Sequence, residues 1–510
     1  MTETERSGDV LIAVDAGTTN VKTVAFDLQG TELASATRET ETHHPEPGHA
    51  EQDMDEVYTR TAETIREVVE AVPADREPRG VGITGQGDGL WAVTTAGDPV
   101  RPAILWSDSR AAPILEAWDE AGYLDEIVDQ CGSAPYPGMS LPLLAWLARE
   151  EPDQFADVAT ILSCKDWLAF RLTGERALDH SEATVPYLDR STGEYDRSVF
   201  DLVGIAAARD TLPRLSPPTE VVGTVTAQAA ADTGLEAGLP IVSGPFDVPA
   251  SGIGCGSATT GGTAVTLGTS LTHQVFVDGP HSTRAGIQMH LGIDGLWTYA
   301  IGSNAGTPSL DWATETLAEV DDVAGLEALA ADVPPGSDGV LYHPYLSTTG
   351  ERGPFVDPDA RGQFVGLTPE HEPATLARAV YEGLSLAVRD CLDHLPRAAS
   401  RVALSGGGTR SDLWPQLIAD CLDRPVVVPA GTELGAKGAA AVLGVALGVF
   451  SSLDAAVDQM ASVERRYTPR ADVVPTYDAL YDLYVDVRET MRTVWAQRAE
   501  TYSAVQTDDR

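Results

Sequence analysis

The sequence predicts an α/β protein built from two related domains, and three observations carry that expectation. The chain has 510 residues, more than one hydrophobic core usually organises, so two domains of roughly 250 residues are expected. One hairpin is used twice. Leu11-Ile12-Ala13-Val14-Asp15-Ala16-Gly17-Thr18-Thr19-Asn20 leads into Val21–Asp27, and Thr263-Ala264-Val265-Thr266-Leu267-Gly268-Thr269-Ser270 leads into Leu271–Gly279. Each is an apolar strand, a Gly-Thr-Thr/Ser turn and a second apolar strand. Finally, several apolar strands run through glycine-rich turns into helical patterns, the arrangement that turns backbone amides toward an anion or nucleotide. The boundary is expected near Ala250, giving domains 1–249 and 250–510.

The two hairpins differ in one informative way. Asp15 stands where the second has Thr266, so only the first brings a carboxylate able to help hold a cation. Glycine lets each turn tighten, and its amides and hydroxyls can face phosphate.

After the first hairpin, residues 50–72 have the amphipathic spacing of a helix that opens with several acids. Arg79–Thr84 reads as a strand ending in Gly85-Gln86-Gly87-Asp88-Gly89. Val100–Leu105 leads to Trp106-Ser107-Asp108-Ser109-Arg110. In open α/β sheets the carboxyl ends of strands line the ligand crevice, so both loops are candidates for one site. Helices are expected around Leu141–Arg149 and Asp166–Leu172. Pro213–Pro218 and Gly223–Pro240 read as connecting segments, and Ile241–Asp247 as a strand ending in a carboxylate. In the second half, Tyr342–Gly366 is loop-rich. A helix is expected over Ala374–Leu395, a strand over Arg401–Leu404 entering Gly406-Gly407-Gly408-Thr409, a helix over Leu413–Leu422, and a strand over Pro425–Val428 leading to Glu433-Leu434-Gly435-Ala436-Lys437. Ala439–Phe450 reads as a buried helix packing closely on its neighbours.

Composition narrows the function classes. The chain carries 77 acidic and 34 basic residues, a formal charge of −43 and a pI near 4.3. Lys22, Lys165 and Lys437 are its lysines. The acids are scattered, which fits adaptation to concentrated salt, where screening shortens the Debye length to a few ångströms; an acidic surface for a basic partner is the alternative. No basic stripe exists, so nucleic acid is excluded as a partner. Cys131, Cys164, Cys255, Cys391 and Cys421 are odd in number and widely spaced, against a disulfide framework or thiolate metal site and in keeping with a reducing cytoplasm. Met1–Asp9 is polar and acidic, unlike a signal peptide, and no apolar run reaches the ~20 residues of a membrane span.

Taken in order, Asp15–Thr19, Gly85–Gly89, Trp106–Arg110, the Asp247 segment, Leu267–Ser270, Gly406–Thr409 and Gly435-Ala436 resemble the FGGY family of carbohydrate kinases. The local wording of Gly85–Trp91 and Cys164–Leu168 is most like its xylulokinases and the kinases of erythritol and L-xylulose. Glycerol kinases carry an Arg-Glu pair where Gly87-Asp88 aligns. The resemblance implies two ribonuclease-H-like domains of the actin, hexokinase and Hsp70 type, a sugar or polyol bound in the cleft between them, ATP as phosphoryl donor and Mg²⁺ as its companion ion. A non-catalytic sugar-responsive regulator, or an actin- or chaperone-like ATPase with a protein partner, is the alternative class. A homodimer is the one macromolecular assembly left open.

The resemblance assigns the roles. Asp247 is the general base, with a helix N-cap as its structural alternative. Asp15 is the Mg²⁺ residue, or else an acid that merely bonds its own turn. Gly17, Thr18, Thr19, Gly268 and Thr269 face phosphate. Gln86, Asp88 and Asp108, with Asp247, are sugar ligands, because polyols are bound by carboxylates and amides. Gly407, Gly408, Gly435 and Ala436 let the nucleotide lie against backbone. Trp91 and Trp106 are assigned to the core ahead of sugar contact, and Lys437 is left open between phosphate and a helix face.

Overall fold

The computed structural model describes residues 8–281, 286–318, 320–396 and 400–508. The chain forms two compact units, neither continuous in sequence. The first comprises Met1–Thr260, Phe276–Thr298 and Gly431–Ser462; the second comprises Gly261–Val275, Tyr299–Ala430 and Val463–Arg510.

The first unit is built on six strands: β1 (Asp9–Ala16), β2 (Asn20–Phe26), β3 (Glu32–Glu39), β4 (Glu77–Gly85), β5 (Val221–Thr224) and β6 (Pro240–Ser243), in the spatial order β5-β6-β4-β1-β2-β3. β1, β2 and β3 are antiparallel neighbours, β4 and β6 run parallel to β1, and β5 closes the edge antiparallel to β6. Strand alternation explains why both faces of β1 are buried. Val10, Ile12 and Val14 share one core with Ile65 and Val68 of the helix Met54–Ala71. Leu11 and Ala13 share another with Ala439 and Leu443 of the helix Leu434–Ala446. The Met54–Ala71 helix buries Val57, Thr61, Thr64, Ile65 and Val68, a spacing of three and four, and Asp53 caps it by accepting from the amides of Asp55 and Glu56.

The second unit repeats the plan. Its sheet has seven strands: β7 (Thr263–Leu267), β8 (Leu271–Val277), β9 (Trp297–Ser303), β10 (Val402–Ser405), β11 (Val426–Pro429) and β12 (Val463–Tyr467) stand in the order β9-β8-β7-β10-β11-β12, and Ile287–His290, a stretch grouped with the first unit, pairs on the outer side of β9. The hairpin β7/β8 is antiparallel, β10 and β11 continue in parallel, and β12 closes the edge antiparallel. Asp15 is the penultimate residue of β1, paired with Thr84; Thr266 is the penultimate residue of β7, paired with Ser405. The two hairpins are equivalent elements.

The structure departs from the sequence reading in three places. Residues 50–52 are not helical: Glu51-Gln52 pairs as a two-residue strand with Ala103-Ile104. The segments read as connecting are in part regular: Pro213–Pro218 holds a strand at Arg214–Ser216, and Gly223–Pro240 holds the end of β5 and a helix at Ala227–Thr233. Asp247 is not at a strand end: β6 stops at Ser243, and Asp247 is the first residue of the helix Asp247–Gly254, with Phe246 in the cap position.

Candidate active site

Asp15 sits where three elements meet in the first unit. β2 places Lys22 opposite it, β4 places Thr84 beside it, and the first turn of the Leu434–Ala446 helix lies against its carboxylate. At Gly435 an added Cβ would fall 2.3 Å from Asp15 Oδ2, so only glycine lets the helix backbone reach the acid. Lys22 Nζ donates to Glu433 Oε2 at 2.9 Å. Burial raises the Asp15 carboxyl from 3.8 to about 6, opposed by Lys22 and reinforced by Glu433.

Below Asp15 the turn is fixed by side-chain amides. Gly17 N–H donates to Asn20 O at 3.0 Å. The Thr18 hydroxyl donates to Gln86 Oε1 at 3.0 Å and accepts from Trp106 Nε1 at 2.9 Å. Gln86 Nε2 in turn donates to Gln52 Oε1 at 2.8 Å, and Gln52 Nε2 to Thr18 O at 2.6 Å. Thr18 and Gln86 therefore hold the turn and the loop together, and Trp106 joins them. Trp91 is fully buried in the core. Thr19 remains exposed, and its hydroxyl oxygen accepts from Asn20 Nδ2 at 3.1 Å. Gln52 escaped notice in the sequence because its partners lie 34 residues away.

Asp247 begins a helix that cannot drift from Asp15's helix. An added Cβ at Gly254 would lie 1.9 Å from Leu434 O, and one at Gly438 would lie 1.9 Å from Ala250 O. Two backbones thus meet at glycine on both sides, as the Gly/Ala-rich composition of that helix predicts. Burial raises Asp247 from 3.8 to about 7; the Asp15 charge adds to this, the Val248 amide opposes it, and Asp88 adds more weakly. The charges acting on this acid are thus two other carboxylates. A carboxylate with such a value exchanges its proton near neutral pH.

Asp88 and Asp108 separate. The Asp88 carboxylate accepts from Tyr136 OH at 2.7 Å, and burial raises it to about 6 against that bond. Asp108 is enclosed: Oδ2 accepts from Ala50 N at 2.7 Å and Arg110 Nη2 at 2.8 Å, and Oδ1 from Arg110 N at 2.8 Å and Nε at 3.0 Å. Its side chain is 0% exposed. The expected sugar ligand is instead the anchor of its own loop, a distinction that residue type alone does not carry. Lys437 is buried as well, and its Nζ would lie 2.9 Å from a Cβ at Gly431.

In the second unit, Gly268 O accepts from Thr307 N at 2.9 Å and Thr269 is exposed at the turn. Gly407 faces open space, whereas a Cβ at Gly408 would meet the Trp414 ring at 2.4 Å. Thr266 and Ser405 hydroxyls pair at 3.0 Å where the first unit has Asp15. Gly268, Thr269, Gly407 and Gly408 belong to this unit, and Gly435 and Ala436 to the first.

Two family descriptions cover most of this architecture. The FGGY carbohydrate kinase N-terminal domain matches residues 10–254, and its C-terminal domain matches residues 262–447. The chain belongs to the FGGY family of carbohydrate kinases. It is 29% identical to an erythritol kinase of Brucella abortus (strain 2308) over 98% of this chain and 99% of that one. It is 28% identical to a gluconokinase of Bacillus subtilis (strain 168) over 96% and 98%. A ligand-bound xylulose kinase structure from Lactobacillus acidophilus superposes with a TM-score of 0.90 at 25% identity, covering 96% of this chain and 99% of that chain. The protein is an ATP-dependent carbohydrate kinase, a phosphotransferase acting on an alcohol group of a small sugar or polyol. Among the described residues no helix is long and apolar enough to cross a membrane.

The donor set at Asp15 fits Mg²⁺. The acid is a hard oxygen donor, and its Lys22 neighbour, which favours the charged form, is itself bonded to Glu433. Among the described residues no three His, Cys, Asp or Glu side chains gather into a cage, and Mg²⁺ characteristically uses one or two carboxylates plus waters and phosphate.

Proposed function

We propose that this kinase phosphorylates a four- or five-carbon polyol or ketose, with Asp247 as general base and Asp15 as the residue serving Mg²⁺. The observation that carries the reading is the electrostatic setting of Asp247: a carboxylate raised to about 7 whose charged neighbours are Asp15 and Asp88. Such an acid favours taking a proton when one is released beside it. The attacking hydroxyl gives its proton to Asp247 as its oxygen bonds the γ-phosphorus, while the bridging P–O bond breaks and ADP departs. With Mg²⁺ bound, the ion supplies charge neutralisation on the phosphate oxygens.

Residues 1–249 carry the sugar side in this assignment, with Gln86 orienting the loop and Asp88 accepting from sugar hydroxyls. Residues 250–510 carry the nucleotide side, through the turns at Gly268-Thr269 and Gly407-Gly408. Gly17 and Thr19 offer an amide and a hydroxyl to phosphate. Gly435 admits the Asp15 carboxylate, and the turn at Gly435-Ala436 lets the nucleotide lie close to backbone.

A neutral substrate is favoured because the cations near the sugar loop are already taken. Arg110 bonds Asp108 and Glu51, and Arg101 bonds Glu51 and Glu151. That leaves the carboxylate of Asp88 as the charged group at the loop, suited to adjacent hydroxyls and unsuited to a sugar acid. The test is ADP release measured with erythritol, D-xylulose, L-xylulose, glycerol and gluconate, with Mg²⁺ titrated. Preference for glycerol or gluconate would overturn the substrate assignment.

A further inference from the structure

We propose that Glu182 is a positioning residue for sugar recognition: one carboxyl oxygen holds the Asp88 turn, and the other offers a hydrogen-bond donor to the small polar cavity beside Asp88. This rests on the reading of Asp88 as a sugar ligand and extends it to a residue 94 positions away. Glu182 is 8% exposed, on the helix His180–Tyr187. Its Oε2 accepts the Asp88 amide at 3.0 Å. Asp88 needs that hold, because its φ of 60° is in the left-handed region, disfavoured for a residue bearing a Cβ. The same helix steadies the base: Ser181 Oγ accepts the Phe246 amide at 3.1 Å, one residue before Asp247.

The other oxygen, Oε1, is buried without a hydrogen-bond partner among the described residues. Glu182 lines a cavity of about 10 Å³ together with Asp88, Ser140, Ser163 and Tyr187, about the room one water occupies. A buried polar atom facing a polar void calls for a partner. The cavity is where a water, or a hydroxyl at the end of the sugar, meets both Asp88 and Glu182.

The surrounding charges decide which form Glu182 takes. Lys165 is fully buried, with Nζ 2.5 Å from Asp179 Oδ1 and 3.0 Å from Asp166 Oδ2. Asp166 also accepts from Ser163 and Ser243. The one cation of the cluster is thus shared by two nearer acids. Burial pushes the Glu182 carboxyl well up, Lys165 opposes this, and Asp88, Asp179 and Asp166 add to it; the Cys164 thiol and the Tyr187 hydroxyl, both raised by burial, are further titratable neighbours. Burial and the three acids thus favour the protonated form of Glu182. Since Oε2 already accepts from Asp88 N–H, the proton belongs on Oε1, and the cavity receives a donor.

Donation requires the protonated form, so sugar affinity is present at low pH with respect to Glu182 and falls as pH rises through its raised value. Asp88 acts oppositely: it must be ionised to accept, so affinity is lost below about 6. Calorimetric Kd for erythritol and D-xylulose, measured on the full chain from pH 5 up to the alkaline limit of folding, should show the Asp88 limb at low pH and weakening at high pH as Glu182 loses its proton. Glu182→Gln keeps an acceptor for the Asp88 amide and a donor for the cavity; its alkaline limb should vanish and its acid limb remain. Glu182→Ala should raise the sugar KM by ~10-fold or more with the ATP KM within about twofold. Persistence of the alkaline limb in Glu182→Gln, or an unchanged sugar KM in Glu182→Ala, overturns the proposal. Should neither variant fold, wild-type titrations on the alkaline limb, where affinity is falling, in two buffers of different ionisation enthalpy decide it: proton uptake on sugar binding is expected there, and its absence refutes the donor. An unaltered sugar KM in Asp88→Ala would instead defeat the underlying reading of the sugar loop.

Discussion

Asp247→Asn should slow the enzyme and stabilise it, and the opposite signs make the test sharp. The side chain keeps its shape and loses its charge. In the folded protein the carboxyl value is about 7 against an ordinary 3.8, a difference corresponding to about 4 kcal/mol between protonation states. The residue is half-buried and its surroundings can relax, so ~1–2 kcal/mol is the expected share. The sign follows from proton counting: the folded state binds the proton more tightly, so wild-type stability is fullest below about 4 and is lost as pH rises through about 7. Asparagine escapes that loss. Thermal melts at pH 8 should place the variant a few degrees above wild type, with the gap narrowing toward pH 4.5. Turnover should fall by ~10²-fold or more, because the proton of the attacking hydroxyl has no acceptor, while ATP binding persists. In wild type, kcat should drop as pH falls below about 7. A variant that turns over within a few-fold of wild type refutes the base, and one less stable at pH 8 refutes the burial argument.

Gly435→Ala should press a Cβ into Asp15 Oδ2, since the two would stand 2.3 Å apart; kcat should fall by ~10-fold and the Mg²⁺ needed for half-maximal rate should rise, with the sugar KM unmoved. Asp88→Ala should raise the sugar KM far more than the ATP KM across the panel of polyols and ketoses, and a defect confined to ATP would contradict the loop's role. With a formal charge of −43, the fold should melt at a higher temperature in about 3 M than in about 0.1 M potassium chloride, and equal or greater stability at low salt would remove the salt-adaptation reading.

How much of this was legible in the sequence depends on whether a signal is local. The hairpins were legible because Gly17 and Gly268 follow runs of β-branched and apolar residues, a pattern set within ten positions. Asp15 was legible for the same reason. The element holding Asp247 was misread: Asp247-Val248-Pro249-Ala250 begins a helix, and the preceding strand stops at Ser243. Gly435 was expected to admit a nucleotide; it admits the carboxylate of Asp15, 420 positions away. No residue pattern distinguishes those two reasons for a glycine. Asp108 looked like Asp88, and only the Arg110 guanidinium and the Ala50 amide closing round it tell them apart. The discontinuous makeup of the units was likewise invisible, because the helix Leu434–Ala446 joins the first unit through contacts with β1 and β4 distant in sequence.

The acids of the first unit divide their work by environment. Asp15, Asp88, Glu182 and Asp247 are all raised, each with burial as the leading cause. Their neighbours then separate them. Asp15 has Lys22 across the hairpin and a helix start against it, which favours the charged form a cation needs. Asp88 has a tyrosine donor, which favours the charged form a sugar hydroxyl needs. Asp247 has other carboxylates, which makes it the readiest of the three to take a proton near neutral pH. Glu182 faces Asp88 while the cluster's lysine is occupied by Asp166 and Asp179, which favours the protonated form that donates. Catalysis by this set requires Asp247 and Asp88 ionised with Glu182 neutral. The rate at subsaturating sugar should therefore rise through about 7 as Asp247 ionises and fall once Glu182 loses its proton, and Glu182→Gln should remove the fall and leave a rise to a plateau.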